Sequence, residues 1–179
     1  MNTYPSHPTI ALRAMEPTDV DRLYLWENDP GIWQFGGMRA PVSRHQLWEY
    51  ADSYDANPFS SGQLRLVIDI CHDDGNREPC GTADLYDIDP ANSRAMVGIM
   101  VAPEFRGKRI AAGALEMLGD YCRDILGLST LAADVPADNL PSMHLFGGKA
   151  RYSLIGERPG WFRRGGSFVA CAMFQKSLF

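Results

Sequence analysis

Long apolar runs are missing from this sequence of 179 residues. No window approaches the roughly 18 uninterrupted apolar residues that a membrane-spanning helix requires. The stretch from Met1 to Pro8 is polar and contains proline, so it lacks the charged start and apolar core of a signal peptide. These absences predict a cytoplasmic protein with no membrane partner.

Cysteine and histidine are sparse and scattered, with four of each. They stand at Cys71, Cys80, Cys122, Cys171, His7, His45, His72 and His144. No C-x-x-C pair and no H-x-x-x-H spacing occurs, so neither a metal site nor a redox motif is predicted. We expect reduced, mostly buried thiols and histidines that are structural or solvated.

A long basic stripe is also absent, and the formal net charge is −5. Nucleic-acid binding depends on many phosphate contacts by Lys and Arg, so this composition argues against a nucleic-acid partner. The short basic segment Arg163-Arg164-Gly165-Gly166 is instead typical of a hairpin turn.

The composition predicts one globular domain over residues 1–179. Apolar residues make up 45% of the chain, and a domain of this size buries about 70% of the surface that its unfolded chain exposes. No internal repeat or low-complexity tract suggests a second unit.

Apolar periodicity and turn residues predict an alternation of strands and helices. Predicted strands cover 9–14, 64–70, 79–88, a segment ending at Val101, 131–135, 152–157 and 167–176. Four helices are predicted. The first begins at Glu16-Pro17 and ends at Asp29-Pro30-Gly31, and the second runs from the cap Ser43 to about Tyr54. The third runs from Ile110 to Gly127, and the fourth covers 140–149 with Asp138 or Asn139 as cap. The aromatic residues between Ile32 and Val42 suit a loop with apolar contacts.

The most informative segment runs from Val97 to Leu115, where a strand, a short basic turn and a helix start follow one another. A helix start leaves its first N–H groups unpaired and carries partial positive charge, so it binds phosphate well. Arg106, Lys108 and Arg109 add three cations within four residues, and Gly107 lets the backbone come close. The segment therefore indicates a nucleotide-like cofactor.

This segment resembles motif A of the GNAT N-acetyltransferases, whose backbone holds the pyrophosphate of acetyl-CoA. Arg106 takes the first motif position and Ala111 the last, while Arg109 replaces the middle glycine. If the backbone there is helical, Arg109 fits this position and its guanidinium adds a phosphate contact. We expect the replacement of this glycine by Arg109 to affect the affinity for the cofactor more than the fold.

Further segments extend the resemblance through nearly the whole chain. They are Leu12 to Asp19, Gly81 to Asp89, Asp138-Asn139 with Ser142, Leu145 and Phe146, and Met173 to Gln175. Among subfamilies the chain is most similar to the spermidine N-acetyltransferases and the ribosomal-protein N-terminal acetyltransferases. The resemblance implies an α/β (α+β) GNAT fold: a mixed, mostly antiparallel sheet of about seven strands with four helices, in which strands 4 and 5 splay apart to hold acetyl-CoA. It also allows for a homodimer.

The resemblance implies a set of acetyl-CoA contacts along motif A and the fourth helix. These are Ile99, Met100, Val101, Arg106, Gly107, Lys108, Arg109, Ile110, Ala111, Ala112, Asn139, Ser142 and Phe146. Backbone N–H groups near Met100 and Val101 would polarise the thioester carbonyl.

Catalytic candidates follow from the need for a neutral amine and a proton for the departing thiolate. Asp84 matches an acidic position of the spermidine enzymes and is the predicted base, with Glu16 and Glu27 as alternatives. Phe146 stands where many members have a proton-donating Tyr, so the acid would be Ser142 or, more distantly, Tyr152. Alternatively no acid is needed, because a thiol of pKa about 8.5 leaves readily as thiolate.

The acceptor site is predicted to include Glu16, Glu27, Trp33, Phe35 and Asp84. The resulting hypothesis is an acetyl-CoA-dependent N-acetyltransferase whose acceptor is a primary amine, either of a polyamine-like small molecule or of a protein N-terminus. A non-catalytic acyl-CoA-binding homologue and an aminoglycoside-type drug acetyltransferase are the alternatives.

Overall fold

Seven strands form one sheet in the computed structural model, which describes residues 8–33, 35, 40–55 and 57–179. They are β1 Thr9–Ala14, β2 Leu64–Cys71, β3 Arg77–Asp89, β4 Arg94–Val101, β5 Thr130–Pro136, β6 Ser153–Arg164 and β7 Ser167–Ser177. Their order is β1-β2-β3-β4-β5-β7-β6, and β4 and β5 form the parallel pair in an otherwise antiparallel sheet. The predicted mixed, mostly antiparallel sheet is confirmed.

Six α-helices are present in the same described ranges. They are α1 Val20–Glu27, α2 Pro30–Trp33, α3 Arg44–Asp52, α4 Pro58–Ser61, α5 Ile110–Asp124 and α6 Leu140–His144. A π-helical turn, Leu145–Lys149, continues α6. None of these helices has the length and apolar character needed to cross a membrane.

The sequence predicted four of the helices and missed α2 and α4. Each of these two spans four residues and begins with proline, which suits a first helical position but also marks a turn. One turn is too short to show an apolar period of 3.6 residues. The first helix does end directly before the predicted stop at Asp29-Pro30-Gly31, since α1 ends at Glu27, but Pro30 then begins α2.

The core lies between the sheet and the helices packed on it. Side chains that are less than 2% exposed come from α1, α5 and the central strands, and include Leu23, Ile68, Leu85, Leu115, Leu118 and Leu131. Cys80, Cys122 and Cys171 are buried and Cys71 is partly exposed, all as free thiols. His7 lies outside the described residues.

The predicted hairpin turn at the end of the chain is confirmed. β6 ends at Arg164 and β7 begins at Ser167, so Gly165 and Gly166 form the two-residue connection. Both glycines have positive φ, +49° and +98°, which a side chain would disfavour.

Glu16 is a helix cap. Its backbone N–H donates to Asp19 Oδ2 at 2.8 Å, and its own side chain accepts from the Asp19 backbone, which forms a capping box around the 3₁₀ turn Pro17–Asp19. The predictions of Glu16 as an acceptor contact or base were wrong, because capping occupies it and it does not line the cavity described below.

An ion-pair cluster ties this cap to the sheet. Arg13 on β1 donates to both carboxylate oxygens of Asp19 at 2.7 Å and to Asp69 Oδ2 on β2, also at 2.7 Å. Asp19 and Asp69 are almost completely buried, at 4% and 1% exposure. Burial by itself would raise the pKa of Asp19, but the hydrogen bonds from Arg13 and the Glu16 N–H outweigh it and lower that pKa below its ordinary value.

Acid should weaken the fold through Asp19. Because its folded-state pKa lies below the unfolded value of about 4, its stabilisation is present above pH 4 and is lost as the pH falls through the folded pKa. We expect Asp19→Asn to lower the free energy of unfolding at pH 7 and to flatten its decline below pH 4. Urea denaturation at several pH values measures both, and an unchanged acid slope in the variant would contradict this role.

A close backbone approach between β3 and β4 requires glycine at position 81. A Cβ on Gly81 would lie 2.2 Å from the carbonyl oxygen of Met100, which is far inside van der Waals contact. Gly81 is buried, so neither strand can move away into solvent.

Gly81→Ala should therefore lower the free energy of unfolding by about 3 kcal/mol, measured by urea denaturation. Gly148→Ala is the matched control, because a Cβ there meets no atom within 4 Å and Gly148 has no positive φ. Equal effects of the two substitutions would show that the contact with Met100 is not the cause.

Candidate active site

A cavity of about 1300 Å³ opens where β4 and β5 part. The two strands pair from Arg94↔Thr130 to Met96↔Ala132, after which β4 continues beside β3 and β5 beside β7. α1 and α3, the start of α5, and α6 contribute the other walls. Pockets for a single drug-sized ligand measure about 300–1000 Å³, so this cavity has room for two reactants.

The unpaired edge of β4 faces this cavity. Ala102 N–H donates to Cys80 C=O at 2.9 Å, and antiparallel pairing alternates, so the backbone groups of Val97, Ile99 and Val101 point away from β3. Val101 C=O accepts from Arg106 Nε at 2.9 Å, which agrees with this direction. Of the two predicted positions for a carbonyl-polarising donor, the backbone of Met100 pairs with Thr82 on β3, whereas that of Val101 faces away from β3. Ile99 faces the same way as Val101.

The cationic end of the cavity is built around the start of α5. Arg106, Gly107, Arg109, Ile110, Ala111 and Ala112 all line it. The first N–H groups of this 15-residue helix have no partner within the helix and add partial positive charge. The residues predicted to hold phosphate therefore share one surface of the cavity.

Arg109 has a left-handed backbone, with φ 63° and ψ 10°, as the N-cap of α5. The condition under which Arg109 would fit this position, a helical backbone, is therefore not met in its right-handed form. The chain here adopts the left-handed conformation that glycine adopts freely. A non-glycine residue in this region costs about 1–2 kcal/mol. The replacement of glycine by arginine is thus a site of backbone strain beside the phosphate cradle.

Lys108 differs from the other predicted cofactor contacts. It does not line the main cavity but a second, smaller one, and its Nζ lies 5.4 Å from the centre of the Phe105 ring. The predicted contacts Ile99, Met100, Val101, Asn139, Ser142 and Phe146 do line the main cavity.

The acidic end of the cavity is organised by Arg65 on β2. Its Nε donates to Asp84 Oδ1 at 2.6 Å and its Nη1 donates to Glu27 Oε1 at 2.8 Å. Burial lowers the pKa of the Arg65 guanidinium, but the attraction of Asp84 and Glu27 outweighs it and raises that pKa, so the group stays charged. The backbone N–H of Arg65 also donates to the Tyr54 hydroxyl.

Asp84 lies directly over β4. A Cβ on Gly98 would be 3.6 Å from Asp84 Cβ and 3.9 Å from Asp84 Oδ2, so this second carboxylate oxygen is next to the strand segment that contains Ile99. Thr82 Oγ1 donates to the same oxygen over a long 3.4 Å. The predicted base and the open backbone edge are therefore neighbours.

α6 and the π-helical turn after it form another wall of the cavity. The side chain of Asn139 accepts from Ser142 N–H at 3.3 Å, which confirms Asn139 as the helix cap. Phe146 is buried, with its ring centre 5.1 Å from that of Tyr152 and 6.0 Å from that of Phe174. Ser142, half-buried, lines the cavity with Phe146 and the exposed His144.

Tyr152 was wrongly predicted as a catalytic acid. It is 3% exposed, does not line the cavity, and its hydroxyl has no hydrogen-bond partner among the described residues. Burial also raises the pKa of Tyr152 well above its ordinary value, which makes it a poorer proton donor.

Trp33 and Phe35, the predicted aromatic contacts of the acceptor, line the cavity. The Trp33 indole N–H donates to the backbone carbonyl of Glu27, which anchors α2 beside the acidic end. The predicted loop around them includes residues 34 and 36–39, which lie outside the described residues.

Sequence reasoning missed several lining residues. They are Asp29, Tyr50, Arg65, Tyr86, Asp134, His144 and Lys149. Arg65 gave no signal because its partners stand 19 and 38 residues away along the chain. Among the described residues, no group of three or more His, Cys, Asp or Glu side chains is placed to hold a metal ion.

Comparison with known proteins decides the family. The model of the acetyltransferase (GNAT) domain matches residues 9–147, which is more than half of the chain. The chain is a GNAT acetyltransferase. It transfers an acyl group and uses acetyl-CoA, and the parted strands and the start of α5 offer the backbone groups and positive charge that such a co-substrate needs.

Individual relatives agree with this assignment. The spermidine N(1)-acetyltransferase of Escherichia coli K12 is 27% identical over 153 residues, 86% of this chain and 77% of that protein. The putative ribosomal N-acetyltransferase of Bacillus subtilis is 30% identical over 135 residues, 69% and 67% of the two chains. The spermidine N-acetyltransferase of Vibrio cholerae, solved with CoA and spermine, has a TM-score of 0.82 at 22% identity, covering 94% and 95%. Another structure of that protein is dodecameric.

Substitution of Arg109 separates backbone strain from charge. Arg109→Gly and Arg109→Ala both remove the guanidinium, but only glycine relieves the left-handed φ of 63°. We expect the glycine variant to be more stable than the alanine variant by about 1 kcal/mol in urea denaturation. Calorimetry should show weaker CoA binding in both, because both lose the cation. Equal stability of the two variants would show that position 109 is unstrained.

Proposed function

We propose that this enzyme acetylates a primary amine of a polyamine-like cation, by direct attack on acetyl-CoA with both reactants bound. The observation that carries the proposal is the acidic end of the cavity, where Arg65 is the one cation among the described residues that faces Glu27, Asp29 and Asp84. A surplus of negative charge in a cleft attracts and orients a cationic acceptor.

The two ends of the cavity have opposite charge, which separates the two reactants. Arg106, Arg109 and Lys149 line the end at α5, where phosphates are stabilised. The carboxylates line the end between α1 and β3. A polyphosphate and a polycation placed at these ends would meet at the open edge of β4.

Asp84 would take the proton of the incoming ammonium group. A lysine-like amine has a pKa of about 10.4, so its deprotonation at pH 7 costs about 4–5 kcal/mol. One oxygen of Asp84 is held by Arg65 while the other lies over Gly98, beside the strand edge. The carboxylate is thereby fixed where the attacking nitrogen would lose its proton, directly or through water.

The N–H of Ile99 would polarise the carbonyl under attack, because the alternation of β4 points this donor into the cavity. Ser142 on α6 would return a proton to the sulfur. Its place in the cavity supports this role, and a thiol of pKa about 8.5 also leaves as thiolate without help.

The relatives support an amine acceptor. Those named as spermidine N-acetyltransferases favour a polyamine, while the ribosomal relative keeps a protein N-terminus as the second candidate. An α-amine of pKa about 8 needs little help to deprotonate, so it would not require a fixed base such as Asp84. The structure therefore favours the polyamine. A homodimer in the cytoplasm stays a prediction.

Asp84→Asn should lower kcat with spermidine at pH 7 by about 100-fold, because general-base catalysis contributes about 10²–10⁴-fold. The deficit should shrink as the pH rises toward the pKa of the amine, since the acceptor then deprotonates by itself. Thiol release from acetyl-CoA measures the rate, and calorimetry should show CoA affinity within about twofold of the unsubstituted enzyme.

Glu27→Gln is the matched control because it also removes a carboxylate from Arg65 but leaves Asp84 in place. It should raise KM for spermidine with a much smaller change in kcat. Equal loss of kcat in both variants, without the pH dependence, would refute Asp84 as the base. Faster turnover of a ribosomal-protein N-terminal peptide or an aminoglycoside than of spermidine would refute the acceptor class.

A further inference from the structure

A second cavity of about 540 Å³ lies beside the start of α5. It is bounded by the beginning of β1, the first turns of α5, the end of the π-helical turn and Lys176 on β7. The sequence contains three lysines, Lys108, Lys149 and Lys176, and all of them line this cavity. The fold thus brings every lysine of the chain to one cavity, although their positions are separated by up to 68 residues.

Arg109 and Arg151 complete a set of five cations among the described lining residues, which include one carboxylate, Glu116. This concentration occurs in a chain with a net charge of −5. Gathered like charges repel one another and destabilise the fold unless an anion offsets them. The charge of the lining therefore favours a negatively charged group.

Four of these cations have no acidic partner among the described residues. No carboxylate lies within ion-pair distance of Lys108, Lys149, Arg151 or Lys176, in contrast to Arg13 and Arg65, each of which pairs with two carboxylates. Lys108 and Lys176 lie instead near aromatic rings, with Nζ 5.4 Å from the centre of Phe105 and 5.7 Å from that of Tyr152. Their charges remain available to a ligand.

The second cavity adjoins the cationic end of the main one. Arg109, Ile110, Ala112 and Lys149 line both. A ligand whose phosphates lie at the start of α5 can therefore extend from one cavity into the other. Ammonium groups on flexible stems suit a phosphate monoester, which they bind as point charges.

We propose that the second cavity is a phosphate-monoester site that takes the ribose 3′-phosphate of CoA and makes the enzyme select CoA over dephospho-CoA. The proposal rests on the main cavity as the acetyl-CoA site. CoA carries a pyrophosphate and, separately, a 3′-phosphate monoester, and such a monoester has a charge of about −1.5 to −2 at neutral pH. The start of α5 would hold the pyrophosphate, and the three lysines and Arg151 would surround the monoester.

Calorimetric titration of the purified enzyme with CoA and with dephospho-CoA tests the proposal. We expect CoA to bind at least tenfold more tightly, with an advantage that declines as salt increases. The double variant Lys108→Gln/Lys176→Gln should weaken CoA binding about tenfold and leave dephospho-CoA binding within about twofold. Glu116→Gln should strengthen binding of CoA alone. Arg22→Gln, which removes an exposed cation of α1, is the control and should change neither.

Equal affinity of the enzyme for the two ligands, or equal weakening of both by the lysine variants, would overturn the proposal. Binding of adenosine 3′,5′-bisphosphate to enzyme saturated with CoA would also overturn it, because the cavity would then be an independent anion site. These experiments distinguish failure of the 3′-phosphate proposal from failure of the proposed acetylation of a polyamine. Acetylation of spermidine from acetyl-dephospho-CoA would still proceed if the second cavity had no role, whereas an incorrect acceptor would leave the selectivity for CoA intact.

Discussion

The parting of β4 from β5 after Met96 is the constraint on which the rest of the site depends. Two strands that stayed paired would use the N–H and C=O groups of Val97, Ile99 and Val101 in the sheet. Because they part, these groups face a cavity, and a buried backbone group without a partner is costly unless a ligand or solvent satisfies it. The sheet remains one body because β4 stays paired with β3 and β5 with β7.

Close packing on the far side of β4 supports this opening. Gly81 allows β3 to approach the carbonyl of Met100 closely. A side chain at Gly81 would push β3 and β4 apart. The edge that faces the cavity is therefore positioned by contacts made on its opposite side.

Charge is distributed unevenly in this acidic chain. Carboxylates outnumber cations at one end of the main cavity, whereas the other end and the adjoining second cavity collect arginines and all of the lysines. At the acidic end Arg65 binds two carboxylates, and its attraction offsets their mutual repulsion. At the basic end the strained backbone of Arg109 keeps a cation where glycine would give none. Such strain persists where the surrounding structure enforces it, commonly at functional sites.

The sequence by itself determined the seven strands, the four helices longer than one turn, the turn at Gly165-Gly166, the cap at Ser43 and the family. These features depend on residues near one another in the chain, since periodicity, capping and the motif around Arg106 are local. It also placed Asp84, Trp33 and Phe35 at the cavity. Only the tertiary structure decided that Tyr152 is buried away from the reaction and that Glu16 is a cap. The pairing of Arg65 with Glu27 and Asp84, and the meeting of Lys108, Lys149 and Lys176, join residues far apart in sequence, and no local pattern reports such contacts.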